Sequence, residues 1–134
     1  MSLGLATALR NARLDAISTY AGASAILRIY DGTKPATGGT PTNLLSQHTV
    51  QGAFGGASTN GVLTLSAIST NNSANGTGTA TWFRIVKSDG TTHVLDGTVS
   101  TVAAGSGDLQ LDNTSIVSGG TVAITSATIS EGNA

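Results

Sequence analysis

The chain has 134 residues, a net charge of -1, only 10% charged residues and no cysteine. One domain of this length buries a core without cross-links, and a disulfide framework or thiolate metal site is excluded. No basic field gathers phosphates and no run of about 20 apolar residues spans a bilayer, so neither nucleic acid nor membrane is an expected partner. The opening MSLGLATALRNARLDAISTY is interrupted by Arg10, Arg13 and Asp15 and lacks the basic start and apolar centre of a signal peptide. Eighteen glycines, abundant Ser, Thr and Ala and 4% aromatics suit a β-rich chain of small, closely packed side chains. So thinly charged a surface is poorly protected against association, which points to an assembly.

In chain order, residues 3–20 carry the one helical pattern, with Leu5, Leu9, Ala12, Ala16 and Tyr20 at spacings of three or four. Leu14 and Ile17 widen that stripe, while Arg10, Asn11, Asp15 and Ser18 fall mostly elsewhere. Ser2 or Thr7 is a candidate cap and Gly22 a stop. Residues 23–32 read as a strand entering a turn, and 33–43, with both prolines, as a long loop. Strands follow at 44–50 and 62–69, separated by a glycine-rich stretch at 51–61, and 70–78 is a polar loop. Hairpin strands are expected at 79–87 and 92–101, then a short strand at 108–111, a turn at 115–120 and a final strand at 121–130.

Turn signals at roughly ten-residue spacing predict a single mainly β domain over 1–134: an antiparallel β-sandwich or small barrel (23–130) of about seven strands, with one N-terminal α-helix (3–20). No strand–helix–strand alternation suggests a parallel sheet.

The segment FRIVKSDGTTHVL is the strongest local signal, Asp89-Gly90 between apolar runs marking a hairpin. Counting outward from that turn sets Lys87 against Thr92, Val86 against His93, Ile85 against Val94, Arg84 against Leu95 and Phe83 against Asp96. One face then carries Phe83, Ile85 and Val94. The other carries Trp82, Arg84, Val86, His93 and Leu95, too apolar for open surface and too polar for core, and so expected to meet a partner.

Catalytic chemistry finds little support. The chain has two histidines, His48 and His93, and no Gly-x-Ser-x-Gly elbow marks a serine. Both histidines read as satisfied or interfacial strand residues rather than bases. Asp108 and Asp112 share a strand face about 13 Å apart, too far for one ion, and the acidic pattern of a calcium loop is missing. The Gly-Gly pairs open no helix and are not phosphate loops. Asn-x-Ser/Thr at Asn71, Asn75 and Asn113 is expected by chance in so Asn-, Ser- and Thr-rich a chain. No enzyme activity, metal or cofactor is expected, and the loops 33–43 and 70–78 remain as exposed candidates for binding.

The segments MSLGLATALRNARLDAI, LRIYDGTKPATGGT, GTATWFRIVKSDGTTHVLDGTV and TVAITSATISEGNA resemble a group of small virion proteins of tailed bacteriophages and prophages. The resemblance spans nearly the full length. It implies a structural role, with a head decoration or cement protein foremost: made in the host cytoplasm, bound to the outside of the capsid, partnered by the major capsid protein and by its own copies as a dimer or trimer. On that reading Trp82, Arg84, Val86, Leu95 and the neighbouring His93 contact a sister subunit or the shell, Trp and Arg being the types most enriched at interface hot spots. Leu5, Leu9 and Arg13 of the helix form a second contact set. The alternative is a tail-associated or fibre module that binds a host-surface glycan, for which exposed aromatic residues on loops are needed.

Overall fold

The computed structural model describes residues 4–105, 108–124 and 127–130. Helix α1 (Thr7–Ala21) is followed by β1 (Ile26–Tyr30), β2 (Leu44–Thr49), β3 (Val62–Thr64), β4 (Gly78–Thr79), β5 (Trp82–Val86), β6 (His93–Thr101), β7 (Leu109–Leu111), β8 (Ser115–Ile116) and β9 (Thr128–Ser130). The chain is mainly β with one N-terminal helix, its sheets curled into a half-barrel.

Five strands form the principal sheet, in the order β2-β1-β5-β6-β7. Its inner face carries Leu27, Ile29, Leu45, Phe83, Ile85, Val99 and Leu109, all buried. Two-stranded ribbons, β3 with β9 and β4 with β8, supply the opposing side, where Phe54, Leu63, Leu65, Ile116, Val122 and Ile124 join the same core. At Gly97 the fold admits no side chain: a Cβ there would stand 2.5 Å from Phe83 Cε1, because the Phe83 ring lies across its cross-strand partner.

All pairings in the principal sheet are antiparallel except β6 with β7, which run parallel from Val99↔Leu109 to Thr101↔Leu111. Parallel neighbours generally need a crossover of a dozen or more residues. Here the paired stretch is so short that the chain retraces only about 10 Å. Asp108 secures the start of the return, its Oδ2 accepting from the Thr98 amide at 3.0 Å and the Thr98 hydroxyl at 3.1 Å.

Three expected strands are shorter than the sequence pattern suggests: the run 79–87 divides between β4, which ends at Thr79, and β5 from Trp82, and the expected turn at 115–120 opens with the two residues of β8. The run 62–69 is regular only to Thr64; beyond it Leu65 N–H turns to Ala127 O and Val50 bridges Ile68. The run 121–130 holds an isolated bridge from Val122 to Asn71 and then β9, with 125–126 outside the described residues.

Helix α1 ends as expected. Gly22 takes φ +73° and its N–H donates to Ser18 O at 3.1 Å. Its start has no side-chain cap: Ala6 holds the cap position, Thr7 is already helical, and Ser2 lies outside the described residues. The expected apolar stripe needs correction. Leu14 and Ala21 are buried, whereas Leu9 is 48% and Tyr20 51% exposed and Ala12 and Ala16 face outward with them. The polar line Asn11, Asp15 and Ser18 chooses the face. Asn11 Oδ1 accepts from Gly61 N–H at 2.9 Å, Asp15 Oδ1 from Ser58 N–H at 2.8 Å, and Ser18 Oγ donates to Gly55 O at 3.4 Å. Loop backbone left unpaired there is costlier than a leucine left half in water.

This orientation separates two leucines five residues apart. Leu14→Ala is expected to destabilise the fold by about 3 kcal/mol, and Leu9→Ala by less than about 0.5 kcal/mol. Urea denaturation of both variants checks it; equal losses would place the wrong helix face against the body.

Candidate functional site

The Asp89-Gly90 hairpin is present, with one displacement. Lys87 N–H donates to Thr92 O, Gly90 N–H to Lys87 O, and Gly90 takes φ +77°. Val86 opposes His93 as counted. The register then slips, so that Ile85 opposes Leu95, Arg84 opposes Asp96, Phe83 opposes Gly97 and Trp82 opposes Thr98. Val94 is the extra residue of a β-bulge. It leaves Val94 and Leu95 both packed against the core. Leu95 therefore leaves the face assigned to it, and Asp96 takes its place.

That exchange turns the outer face into a connected cluster. Arg84 Nε donates to Asp96 Oδ1 at 2.7 Å and Nη2 to Oδ2 at 2.9 Å. The Arg84 guanidinium lies 5.3 Å from the Trp82 ring centroid, and Trp82 stacks on Tyr30 at 4.4 Å and 15°. Arg28, directly opposite Arg84 on β1, donates instead to Gln47 Oε1 at 2.8 Å and Gly90 O at 3.0 Å. The two arginines thus stand side by side because each has its own acceptors.

The loop after β1 covers this cluster. Trp82 Nε1 donates to Asp31 O at 3.1 Å and Thr42 Oγ1 at 3.0 Å, while Thr42 Oγ1 itself donates to Asp31 O. Gly38 N–H donates to Asp96 Oδ2 at 3.1 Å. Loop 33–43 is thus tied over the sheet by Gly38 and Thr42, while most of its residues stay exposed. Loop 70–78 is also tied down: Asn75 and Gly76 N–H donate to Leu45 O, Ala74 exchanges bonds with Gly119 and Gly120, and Ala74 is buried.

Burial alone pushes the Asp96 carboxyl up, but the Arg84 hydrogen bonds, the Gly38 amide and the nearby His93 outweigh it and hold the group at about 2. His93 Nε2 lies 3.1 Å from Asp96 Oδ1, a close approach outside hydrogen-bond geometry. Asp89 is likewise held at about 2, by the Thr92 hydroxyl and the Thr92 and Thr91 amides that close the turn.

The expected contact residues therefore divide. Trp82, Arg84 and Val86 are buried within the chain, at 0%, 8% and 3% exposure. Their mixed character is answered by Tyr30, Asp96 and the covering loop. His93 and Leu95 are half-buried at the hairpin. Leu5 is half-buried just before α1, and Leu9 and Arg13 lie exposed on it. Burial of Trp82 and Tyr30 also removes the two aromatic side chains closest to the loops from any role in stacking on a sugar.

His48 is buried and faces the core side of β2. Its Nδ1 lies 2.7 Å from Ser69 O, which accepts only, so Nδ1 carries the proton. Nε2 therefore accepts from Ser46 Oγ at 2.9 Å, and that hydroxyl accepts from Asn71 Nδ2 at 3.0 Å. A serine hydroxyl donating to a histidine is the connectivity of an activated nucleophile. Here Ser46 is 0% exposed, and the chain of bonds satisfies buried polar groups. Burial pushes the His48 pKa down against the opposing effect of the Ser69 carbonyl. Ser46 and Asn71 were invisible as partners in the sequence, since nothing distinguishes them from their many Ser and Asn neighbours.

Among the described residues no group of His, Asp or Glu is arranged to hold a metal ion, and no helix is long and apolar enough to cross a membrane. Asp108 serves the β6–β7 return, and Asp112 is exposed. Comparison with protein-family models, with curated proteins and with solved structures found no match.

Two outcomes follow from this chemistry. Asp96→Asn leaves Arg84 largely buried without its counter-charge and is expected to cost about 3 kcal/mol, whereas the paired change Arg84→Met with Asp96→Leu costs less than the single one. Denaturant midpoints of the three proteins decide it; a double variant worse than Asp96→Asn contradicts the assignment. Stability should also fall in two separate acid steps. His48, depressed in the fold, loses stability as pH drops below its ordinary value of 6.5. Asp96, held at about 2 against an ordinary 3.8, adds up to about 2 kcal/mol above pH 4, and this is lost as pH falls through 2. Denaturation midpoints measured from pH 8 to 2 should show both limbs.

Proposed function

We propose that the protein is a structural virion component of a tailed phage, bound to the outside of the capsid as a decoration or cement protein. The observation that carries this reading is the outward apolar stripe of α1, where Leu9 and Tyr20 stand half in water with Ala12 and Ala16 between them. A helix that buries Leu14 and Ala21 and ties its polar line to the body, yet leaves a second apolar stripe in water, is built for a neighbour. The likeness of the sequence to small virion proteins supplies the kind of neighbour.

Shell reinforcement asks for area rather than reactive groups. Each buried Å² of apolar surface gives about 25 cal/mol before the losses of association are subtracted. Repetition over a closed shell makes modest contacts collectively strong. Leu9, with Leu5 and Arg13, is the shell contact on this reading, and the sheet face around Trp82 is internal support. The glycan-binding alternative has less in its favour, because Trp82 and Tyr30 are buried and the loops 33–43 and 70–78 carry no aromatic side chain.

The test is the copy number of the protein relative to the major capsid protein in purified particles, by quantitative mass spectrometry. A ratio near one, or a simple fraction of it, is expected. A handful of copies per particle moves the protein to the tail or portal, and absence from particles overturns the virion reading. In parallel, Leu9→Asp should strip the protein from particles while leaving its melting temperature unchanged.

A further inference from the structure

Four large apolar side chains are exposed among the described residues: Leu9, Tyr20, Val102 and Val117. Leaving Leu9 aside, the others mark opposite ends of β6. Tyr20 lies at the hairpin end, where Lys87 Nζ stands 4.1 Å from its ring centroid and a cavity of about 300 Å³ opens between α1 and Val94–Leu95. Val102 follows the last residue of β6, and its N–H donates to Leu111 O at 2.9 Å. The nine residues of β6 set these ends about 25 Å apart.

Asp112 sits at the far end, directly after Leu111. It is exposed and stands between a cavity of about 370 Å³ rimmed by Val102 and one of about 330 Å³ rimmed by Val117. Asp15, Asp31, Asp89, Asp96 and Asp108 each accept at least one hydrogen bond. Among the described residues Asp112 makes neither a hydrogen bond nor an ion pair. At the other end, the Lys87 ammonium has the Tyr20 ring beside it and no carboxylate within ion-pair reach among the described residues. Asp89, two residues on, is turned into its own loop.

An ammonium beside the exposed Tyr20 ring and a carboxylate between the exposed Val102 and Val117, out of reach of each other within one chain, are complementary between copies. We infer that the protein associates head to tail, the Tyr20–Lys87 end of one copy seating on the Val102–Val117 end of the next, with Lys87 facing Asp112. The contact uses different surfaces on the two partners, so it repeats into a closed ring or a filament. A two-fold contact through either patch would set like charge against like. The inference does not depend on the virion reading, because one purified chain carries both surfaces.

Sedimentation velocity of the purified full chain over a wide concentration range tests it, with circular dichroism melts to establish that each variant folds. The wild type should associate, and Lys87→Glu and Asp112→Lys should each weaken association by about tenfold or more. The double reversal should restore it, and the two single variants mixed together should associate with each other. Tyr20→Ala, which keeps both charges, should weaken it as well. A wild type that stays monomeric throughout overturns the inference and leaves the patches to a different partner. So does an oligomer indifferent to both reversals, or a double reversal that fails to restore what the single ones lose.

Discussion

One extra residue decides how the principal sheet is used. Without the bulge at Val94, Arg84 would oppose Leu95, and Asp96 would fall on the Phe83 side, an ionised carboxylate among apolar side chains. With it, Asp96 reaches Arg84 and both Val94 and Leu95 turn toward the helix. A carboxylate at that position is tolerable only when paired, and the pair in turn gives the loop amide of Gly38 something to bind. The Gly38 end of the covering loop follows from this register, whereas the Tyr30–Trp82 stack and the placing of Arg28 beside Arg84 are set by β1 against β5.

Trp82, Arg84 and Val86 are therefore buried within one chain, and the exposed large apolar side chains lie elsewhere. Surfaces with unmet demand lie at the ends of the molecule and on the outer side of α1. They are small, and they join apolar groups to single charges. Such surfaces suit a part that is repeated many times and held by many modest contacts. On the opposite face of the sheet, by contrast, the bonds from Asn71 through Ser46 to His48 satisfy buried polar groups within the chain.

Much of this architecture was legible in the sequence. The β class, the single N-terminal helix, its stop at Gly22, β2, β6 and the Asp-Gly hairpin follow from alternation, periodicity and turn residues, all local signals. What escaped is long-range. A bulge leaves no mark in FRIVKSDGTTHVL, because Val94 and Leu95 are equally apolar and either can pair. The periodicity of α1 points to the wrong face, because it records which residues are apolar but not which loop amides need Asn11 and Asp15. The runs 62–69 and 121–130 read as long strands, since a pattern of Val, Ile and Thr continues beyond the point where the pairing partner ends. The outer face of β5 was legible as unusual, but its occupant, the chain's own loop 33–43, was not.

The attachment of α1 has a dynamic consequence. Three of its ties to the body are hydrogen bonds to loop backbone, and water can replace each of them. Strand β5, between two neighbours and buried along its length, has no such exchange available. The helix should therefore open in a sub-global excursion well below the free energy of complete unfolding, and its amides should exchange with solvent ahead of those of β5. Because Leu9 and Tyr20 ride on that same helix, a neighbour that grips them would clamp an element held in part by exchangeable bonds, and assembly would be felt in the monomer as slowed hydrogen exchange from Thr7 to Ala21.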